Sequence, residues 1–178
     1  MKVDKEVWKQ NMKNLMDRRS GATEHKVAAS YVAPSKVTDY ETHFKKCILG
    51  NSVLDVGCGG MTIKKYSPFK YTGIDAYPIN EDVIKAEIET FETTEVFDTV
   101  TIFAVLDGLY DLEKAINNIK RLCSGNIIIL TGLGIKPDKY HTIEIKEEDL
   151  IALMLPEFIQ SHREELIPNV YLLEYKRR

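Results

Sequence analysis

Three glycines and two acids carry the first chemical signal in this chain. Gly57, Gly59 and Gly60 follow directly on the apolar run Val53, Leu54 and Val56, in the stretch SVLDVGCGGM from Ser52 to Met61. Glycine lets a backbone turn with positive φ and come close to a ligand. Where such a turn opens a helix, the first free N–H groups favour an anionic or polar group. Asp55 stands two residues before the first glycine, at the mouth of the strand. Asp75 closes a second strand-like run, Tyr71 to Ile74, and lies 20 residues after Asp55. That is about the separation expected between such a loop and an acid that accepts both hydroxyls of a ribose. The chemistry implied is recognition of a nucleotide-like ligand. The glycines alone do not say which, because dinucleotide enzymes use a similar turn.

Hydrophobic patterning places the elements that must hold these residues. Phe97 to Phe103 and Asn126 to Thr131 read as further buried strands, and Val83 to Ile88 as a short one. Phe158 to Ile167 and Val170 to Tyr175 flank the turn Pro168-Asn169, a connection short enough to force an antiparallel pair. Residues 1–19 carry Val3, Val7, Trp8, Met12, Leu15 and Met16 at helical spacing. Thr23 and Ser35 open two more helices. Asp111 caps a helix with Leu112, Ala115, Ile116, Ile119 and Leu122 on one side, and Gly125 is its expected C′ residue. Residues 147–155 form the last helix. Strands alternating with helices and finishing in a hairpin imply an α/β fold with a mostly parallel sheet and one reversed strand. Ligands in such sheets sit outside the carboxyl ends of the strands, near the point where strand order reverses. Gly57, Asp75, Glu87 and Phe103 therefore share one crevice.

In this order and spacing the sequence resembles the class I S-adenosylmethionine-dependent methyltransferases. LDVGCGG is similar to their first motif and TGIDAY to the acidic second. The stretch from Phe97 to Leu130 is similar to the fourth strand, following helix and fifth strand of the small-molecule branch. Met61 replaces a third glycine and Gly108 a histidine, and the segments after Asp75 and Phe91 are too short for full crossover helices. The resemblance implies a Rossmann-like three-layer sandwich, a seven-stranded, mostly parallel sheet with an antiparallel C-terminal hairpin and abbreviated crossover helices. It implies S-adenosylmethionine as cofactor and S-adenosylhomocysteine as product. Gly57, Cys58 and Gly59 would run under the amino acid head and ribose, and the helix start near Gly60 would help hold the carboxylate. Asp55 would meet the ammonium, directly or through water, and Asp75 the ribose diol. Ala76 and Ile88 would flank the adenine, and Glu87, with Glu89 as rival, would reach its amine. A backbone carbonyl at Phe103 or Ala104 would accept from the ammonium.

Methyl transfer from a sulfonium is an in-line displacement, so the protein mainly aligns, desolvates and sometimes takes a proton. His141 is the best-placed general base, because histidine titrates near neutrality; Tyr31 is a second catalytic candidate. Arg18, His25 and Tyr110 are candidates for holding the acceptor, Arg18 through a carboxylate or phosphate. Trp8, Met12 and Met16 either pack or line a lid over the acceptor, and the tail Lys176-Arg177-Arg178 reads as solubilising.

The bulk numbers set the outer bounds. The 178 residues fit a single domain, with 1–34 as a helical lid or substrate segment and 35–178 as the cofactor-binding core. A net charge of −3 with scattered cations leaves no basic footprint for nucleic acid. Three unpaired cysteines point to reduced thiols and the cytoplasm. No signal peptide and no membrane span is legible, and the histidines and cysteines lack metal-ligand spacing. The expected partner is a small-molecule acceptor; the oligomeric state stays open. A cofactor-binding sensor or partner subunit without turnover is the alternative reading. A nicotinamide oxidoreductase is disfavoured by Thr62, at the last position of G-x-G-x-x-G, and by Asp55 before the turn.

Overall fold

The computed structural model describes residues 1–20, 50–61, 63–64, 67 and 70–178, with the side chains of 18–20 excepted. The helices expected from Thr23 and Ser35 lie outside the described residues. Within them the order is α1 (Lys5–Ser20), β1 (Ser52–Val56), β2 (Lys70–Asp75), β3 (Ile84–Lys85), β4 (Phe97–Phe103), α2 (Leu112–Leu122), β5 (Cys123–Gly132), α3 (Glu147–Met154), β6 (Phe158–Ile167) and β7 (Val170–Arg177). A 3-10 turn, Leu106–Gly108, follows β4.

The strands form one seven-stranded sheet in the order β3-β2-β1-β4-β5-β7-β6. β1, β2, β3, β4 and β5 run parallel, and β7 runs antiparallel to both β5 and β6. It is the one reversed strand that the hairpin predicted. After β1 the chain builds outward to β2 and β3, then returns to place β4 on the other side of β1. The switch point thus lies at the carboxyl ends of β1 and β4, where the glycine turn begins.

Burial explains why the central strands read as apolar runs. Leu54, Val56, Val100, Ile102, Ile127, Ile129 and Tyr175 form one core with the inner stripe of α2 and with Leu150 and Met154 of α3. Each leucine and isoleucine of that stripe contributes roughly 1.5–3 kcal/mol by leaving water. Asp111 starts α2 as expected, accepting from Lys114 N at 3.2 Å. The opposite face of the sheet is partly polar: Thr99 donates to Asn126 at 2.7 Å, and Asn126 donates to Glu174 at 3.0 Å.

The structure corrects four sequence expectations. β5 begins at Cys123, directly after α2, so Gly125 is not a helix terminator. It lies in β5 where an added Cβ would come within 2.5 Å of the Asp98 carbonyl oxygen. The orphan carbonyls of α2 are instead met by Arg177, whose guanidinium donates to Lys120 O and Cys123 O at 2.6 Å each and stacks on Phe158. Its place in the tail is therefore structural rather than solubilising. β3 is confined to Ile84–Lys85, because Asp75, its last partner on β2, turns away into the loop. Val7, expected on the apolar stripe of α1, is 51% exposed; the stripe runs through Trp8 and Met12. Residues 76–83 and 92–96 contain no helix, as the shortness of the segments after Asp75 and Phe91 predicted.

The chain start anchors α1. Val3 N donates to Tyr110 O at 2.8 Å and Leu112 N to Met1 O at 3.0 Å. This tie to the start of α2 brings α1 across the carboxyl end of the sheet.

Candidate active site

The glycine loop is shaped from both sides. Gly57 has φ +67°, and an added Cβ would collide with the side chain of Val105. Gly59 has φ +49°, and neither it nor Gly60 would bring a Cβ within 4 Å of any other described residue. This loop backbone therefore presents open space to a ligand. Met61, in place of a third glycine, holds φ +55°, so the left-handed conformation is kept with a side chain on it. Gly57 N and Cys58 N both donate to Ile74 O of β2, at 2.8 and 3.1 Å.

Asp75 fastens this loop to the next strand. One carboxylate oxygen accepts from Gly59 N at 3.0 Å and the other from Tyr77 N at 2.8 Å. A carboxylate oxygen has two lone pairs, so each keeps one for a ligand hydroxyl. Asp75 is buried and lines a crevice of about 620 Å³, open solvent included. Gly57 and Asp75 form its floor, with Cys58, Gly59 and Gly60 outside its lining, and Ala76, Tyr77, Glu87 and Ile88 form one bank. Ala104, Val105 and Gly108 form the other. Ala104 has φ +53°, a strained position for a residue with a Cβ. Its N–H is held by Leu130 O at 2.8 Å, which turns the chain sharply off β4 and into the crevice. α1 closes the site from above with Trp8, Met12, Leu15 and Met16.

The family described as "Methyltransferase domain" matches residues 28–163, most of the chain. The chain belongs to this methyltransferase domain family. No curated protein sequence matches it. Among solved structures it is similar to the N-methyltransferase NodS from Bradyrhizobium japonicum WM9 (15% identity, TM-score 0.64, 82% of this chain and 98% of that one). It is also similar to the 1,6-didemethyltoxoflavin-N1-methyltransferase of Burkholderia thailandensis (14%, 0.66, 94% and 86%). A third likeness is to the magnesium protoporphyrin IX methyltransferase of Synechocystis PCC 6803 (17%, 0.56, 80% and 76%). At these identities the likeness is one of fold.

The methyltransferase brings some of its sequence-predicted residues together and leaves others apart. Gly57, Asp75, Ala76, Glu87, Ile88 and Ala104 all line the crevice. Phe103, half-buried at the end of β4, is not on its wall. Asp55 is 1% exposed and lies beneath the loop, where its oxygens accept from Tyr71 OH at 2.6 Å and Thr101 OH at 2.9 Å. It is displaced from the ligand side because β1 is buried on both faces. Burial pushes its carboxyl up to about 7 against those two hydrogen bonds. Burial, with Asp55 and Asp75 beside it, pushes the Cys58 thiol up to about 12, so it is a filler and not a nucleophile. Of the two acids in EIE, Glu89 is buried and accepts from Tyr110 N at 3.0 Å, while Glu87 accepts from Lys5 Nζ at 2.6 Å and Tyr110 OH at 3.2 Å.

His141 lies off the crevice, in the loop after β5. Its Nδ1 is 2.8 Å from Asp138 and its Nε2 3.7 Å from Asp107, a buried residue of the turn after β4. Burial pushes the Asp107 carboxyl up against the pull of His141. Tyr110 is buried against Trp8, with ring centroids 5.2 Å apart, and burial and the two nearby glutamates hold its phenol protonated. Arg18 falls in the last turn of α1 with its side chain outside the described residues; His25 and Tyr31 lie outside them altogether. Among the described residues no His, Cys, Asp and Glu gather in a group able to hold a metal.

Sequence reading missed Lys5, Val105 and Asp107. Lys5 meets Glu87 across 82 positions, and nothing local marks that contact. Val105 carries a faint signal, as the first residue past the left-handed Ala104. At Gly108, where many members of the family carry a histidine, Trp8 Nε1 donates to the backbone carbonyl at 2.7 Å.

Proposed function

We propose that the crevice binds S-adenosylmethionine and that the protein passes its methyl group to an oxygen or nitrogen of a small molecule. The observation that carries this reading is the open glycine loop, pinned by Asp75, at the switch point of the sheet. The chemistry of the donor set fits the cofactor. Asp75 keeps one lone pair on each oxygen for a ribose diol, the loop leaves open space for the amino acid head, and Glu87 offers a carboxylate at the far bank. When bound, the cofactor supplies a methyl group already activated on a sulfonium. The protein's part is alignment and exclusion of water by the apolar face of α1 and the Ala104–Val105 bank. Two of the similar solved structures are methyltransferases of 1,6-didemethyltoxoflavin and of magnesium protoporphyrin IX, both small molecules.

In this reading residues 1–34 are a lid on a cofactor-binding core of 35–178. Where the acceptor needs to lose a proton, the candidate bases are His141, which lies off the crevice with its Nδ1 2.8 Å from Asp138, and Tyr31; Arg18 and His25 are the candidates for holding the acceptor, Tyr110 being engaged with Glu87. Free, buried Cys58 and Cys123 suit a reducing compartment, and we place the protein in the cytoplasm. No helix among the described residues is long and apolar enough to cross a membrane. Calorimetric titration with S-adenosylmethionine and S-adenosylhomocysteine tests the reading on the parent and on Asp75→Asn, which keeps the side chain's size. Binding in the parent weakened at least about tenfold in the variant, or 1.4 kcal/mol, supports it. No heat with either ligand in the parent overturns it.

A further inference from the structure

The carboxylate of Glu87 is held in an unusual way. Lys5 Nζ, from the first turn of α1, donates to its Oε2 at 2.6 Å, and Tyr110 OH donates to the same oxygen at 3.2 Å. Among the described residues, Oε1 has no partner. The Lys5 ammonium is itself fixed, 4.8 Å from the centre of the Tyr110 ring and 5.8 Å from that of Trp8. Trp8 is fixed in turn by its bond to Gly108 O. Glu87 lines the crevice between Ala86 and Ile88. Two donors on one oxygen restrict the rotation of the carboxylate, whose side chain is 26% exposed. They leave Oε1 as the acceptor atom that the side chain can offer a ligand.

We infer that Lys5 and Tyr110 are positioning residues that aim Oε1 of Glu87 at an amino group of the bound nucleobase, and that α1 thereby sets nucleobase specificity. The inference rests on the cofactor reading above. A fixed carboxylate oxygen accepts from an exocyclic N–H and repels a ring carbonyl in the same place. The ligand class is therefore a 6-aminopurine, with its 6-oxo counterpart rejected. The N-terminal helix belongs to the cofactor site as well as to the roof over the acceptor. Without Lys5 and Tyr110 the carboxylate swings, and an oxo ligand escapes the repulsion by displacing it.

Calorimetry with S-adenosylhomocysteine and its 6-oxo analogue, S-inosylhomocysteine, tests this on the parent, Lys5→Met, Lys5→Arg, Tyr110→Phe and Glu87→Gln. The quantity read is the ratio of the two affinities. A merely structural loosening of α1 weakens both ligands together and leaves that ratio alone. The parent should prefer the amino ligand by at least about tenfold, since a site built around one hydrogen bond rejects the analogue that lacks it. Lys5→Met and Tyr110→Phe should each lower the preference severalfold. Glu87→Gln, whose amide both donates and accepts, should bring it close to one, and Lys5→Arg should retain it. A parent ratio near one overturns the inference, as does a preference that Lys5→Met and Tyr110→Phe leave intact; either result leaves the cofactor reading standing. Failure of the parent to bind either ligand overturns the cofactor reading itself and the inference with it.

Discussion

At the scale of single residues, Asp55 and Asp75 show how position separates two similar acids. Asp75 lies at the crevice floor with spare acceptor capacity. Asp55, on the buried strand next to it, spends its oxygens on Tyr71 and Thr101. The Asp55 carboxyl is raised to about 7 from 3.8 by burial. A folded-state pKa above the unfolded one means that the folded protein holds the proton more tightly. The stabilisation is complete below about pH 4, declines as pH rises, and is gone above about pH 7. The full shift corresponds to at most about 4 kcal/mol. Urea unfolding at several pH values between 4.5 and 8 should show the parent losing stability with rising pH, and Asp55→Asn losing distinctly less. Equal slopes in the two proteins would show that Asp55 is already ionised in the fold.

At the scale of elements, the junction between α2 and β5 replaces a glycine cap with a side chain from the last strand. Arg177 reaches the carbonyls of Lys120 and Cys123 while its guanidinium lies 4.6 Å from the Phe158 ring centre. The helix can therefore enter the strand without a left-handed residue, and Gly125 is freed to let β5 approach Asp98. Arg177→Met keeps the apolar stem and removes the donors. Because the side chain is partly solvated, the expected loss is roughly 1–2 kcal/mol of unfolding free energy, measured as a lower urea midpoint at unchanged slope. An unchanged midpoint would mean that water caps the helix equally well.

At the scale of the whole molecule, the site exists only because five distant parts of the chain converge: the loop after β1, the turn after β2, the segment after β3, the left-handed turn after β4 and α1. A ligand held by all five should stabilise the folded state by mass action, about 2.7 kcal/mol at a hundredfold excess over its dissociation constant. For a domain of this size that is a rise in Tm of roughly 5–10 °C. S-adenosylhomocysteine should produce this shift in thermal unfolding, and a chain lacking residues 1–20 should show a smaller shift at the same concentration. An equal shift in the shortened chain would remove α1 from the cofactor site.

Much of the framework was legible in the sequence because the signals are local. Strand runs, the Asp111 cap, the hairpin turn and the glycine loop each depend on neighbours a few residues away, and the alternation of elements then constrains sheet order. Gly57, Asp75 and Glu87 could be assigned to one crevice because topology brings the carboxyl ends of parallel strands together, while Phe103, assigned with them, is not on its wall. What only the tertiary structure decided are the contacts without a local cause. No periodicity distinguishes Lys5 from the other lysines of α1, yet packing of Trp8 on Tyr110 carries it to Glu87. No spacing tells Asp55 that its strand is covered on both faces. No motif reveals that His141 lies between Asp138 and Asp107, or that a C-terminal arginine closes α2. Those outcomes are set by which surfaces bury one another once the sheet has formed, a property of the assembled fold and not of any segment.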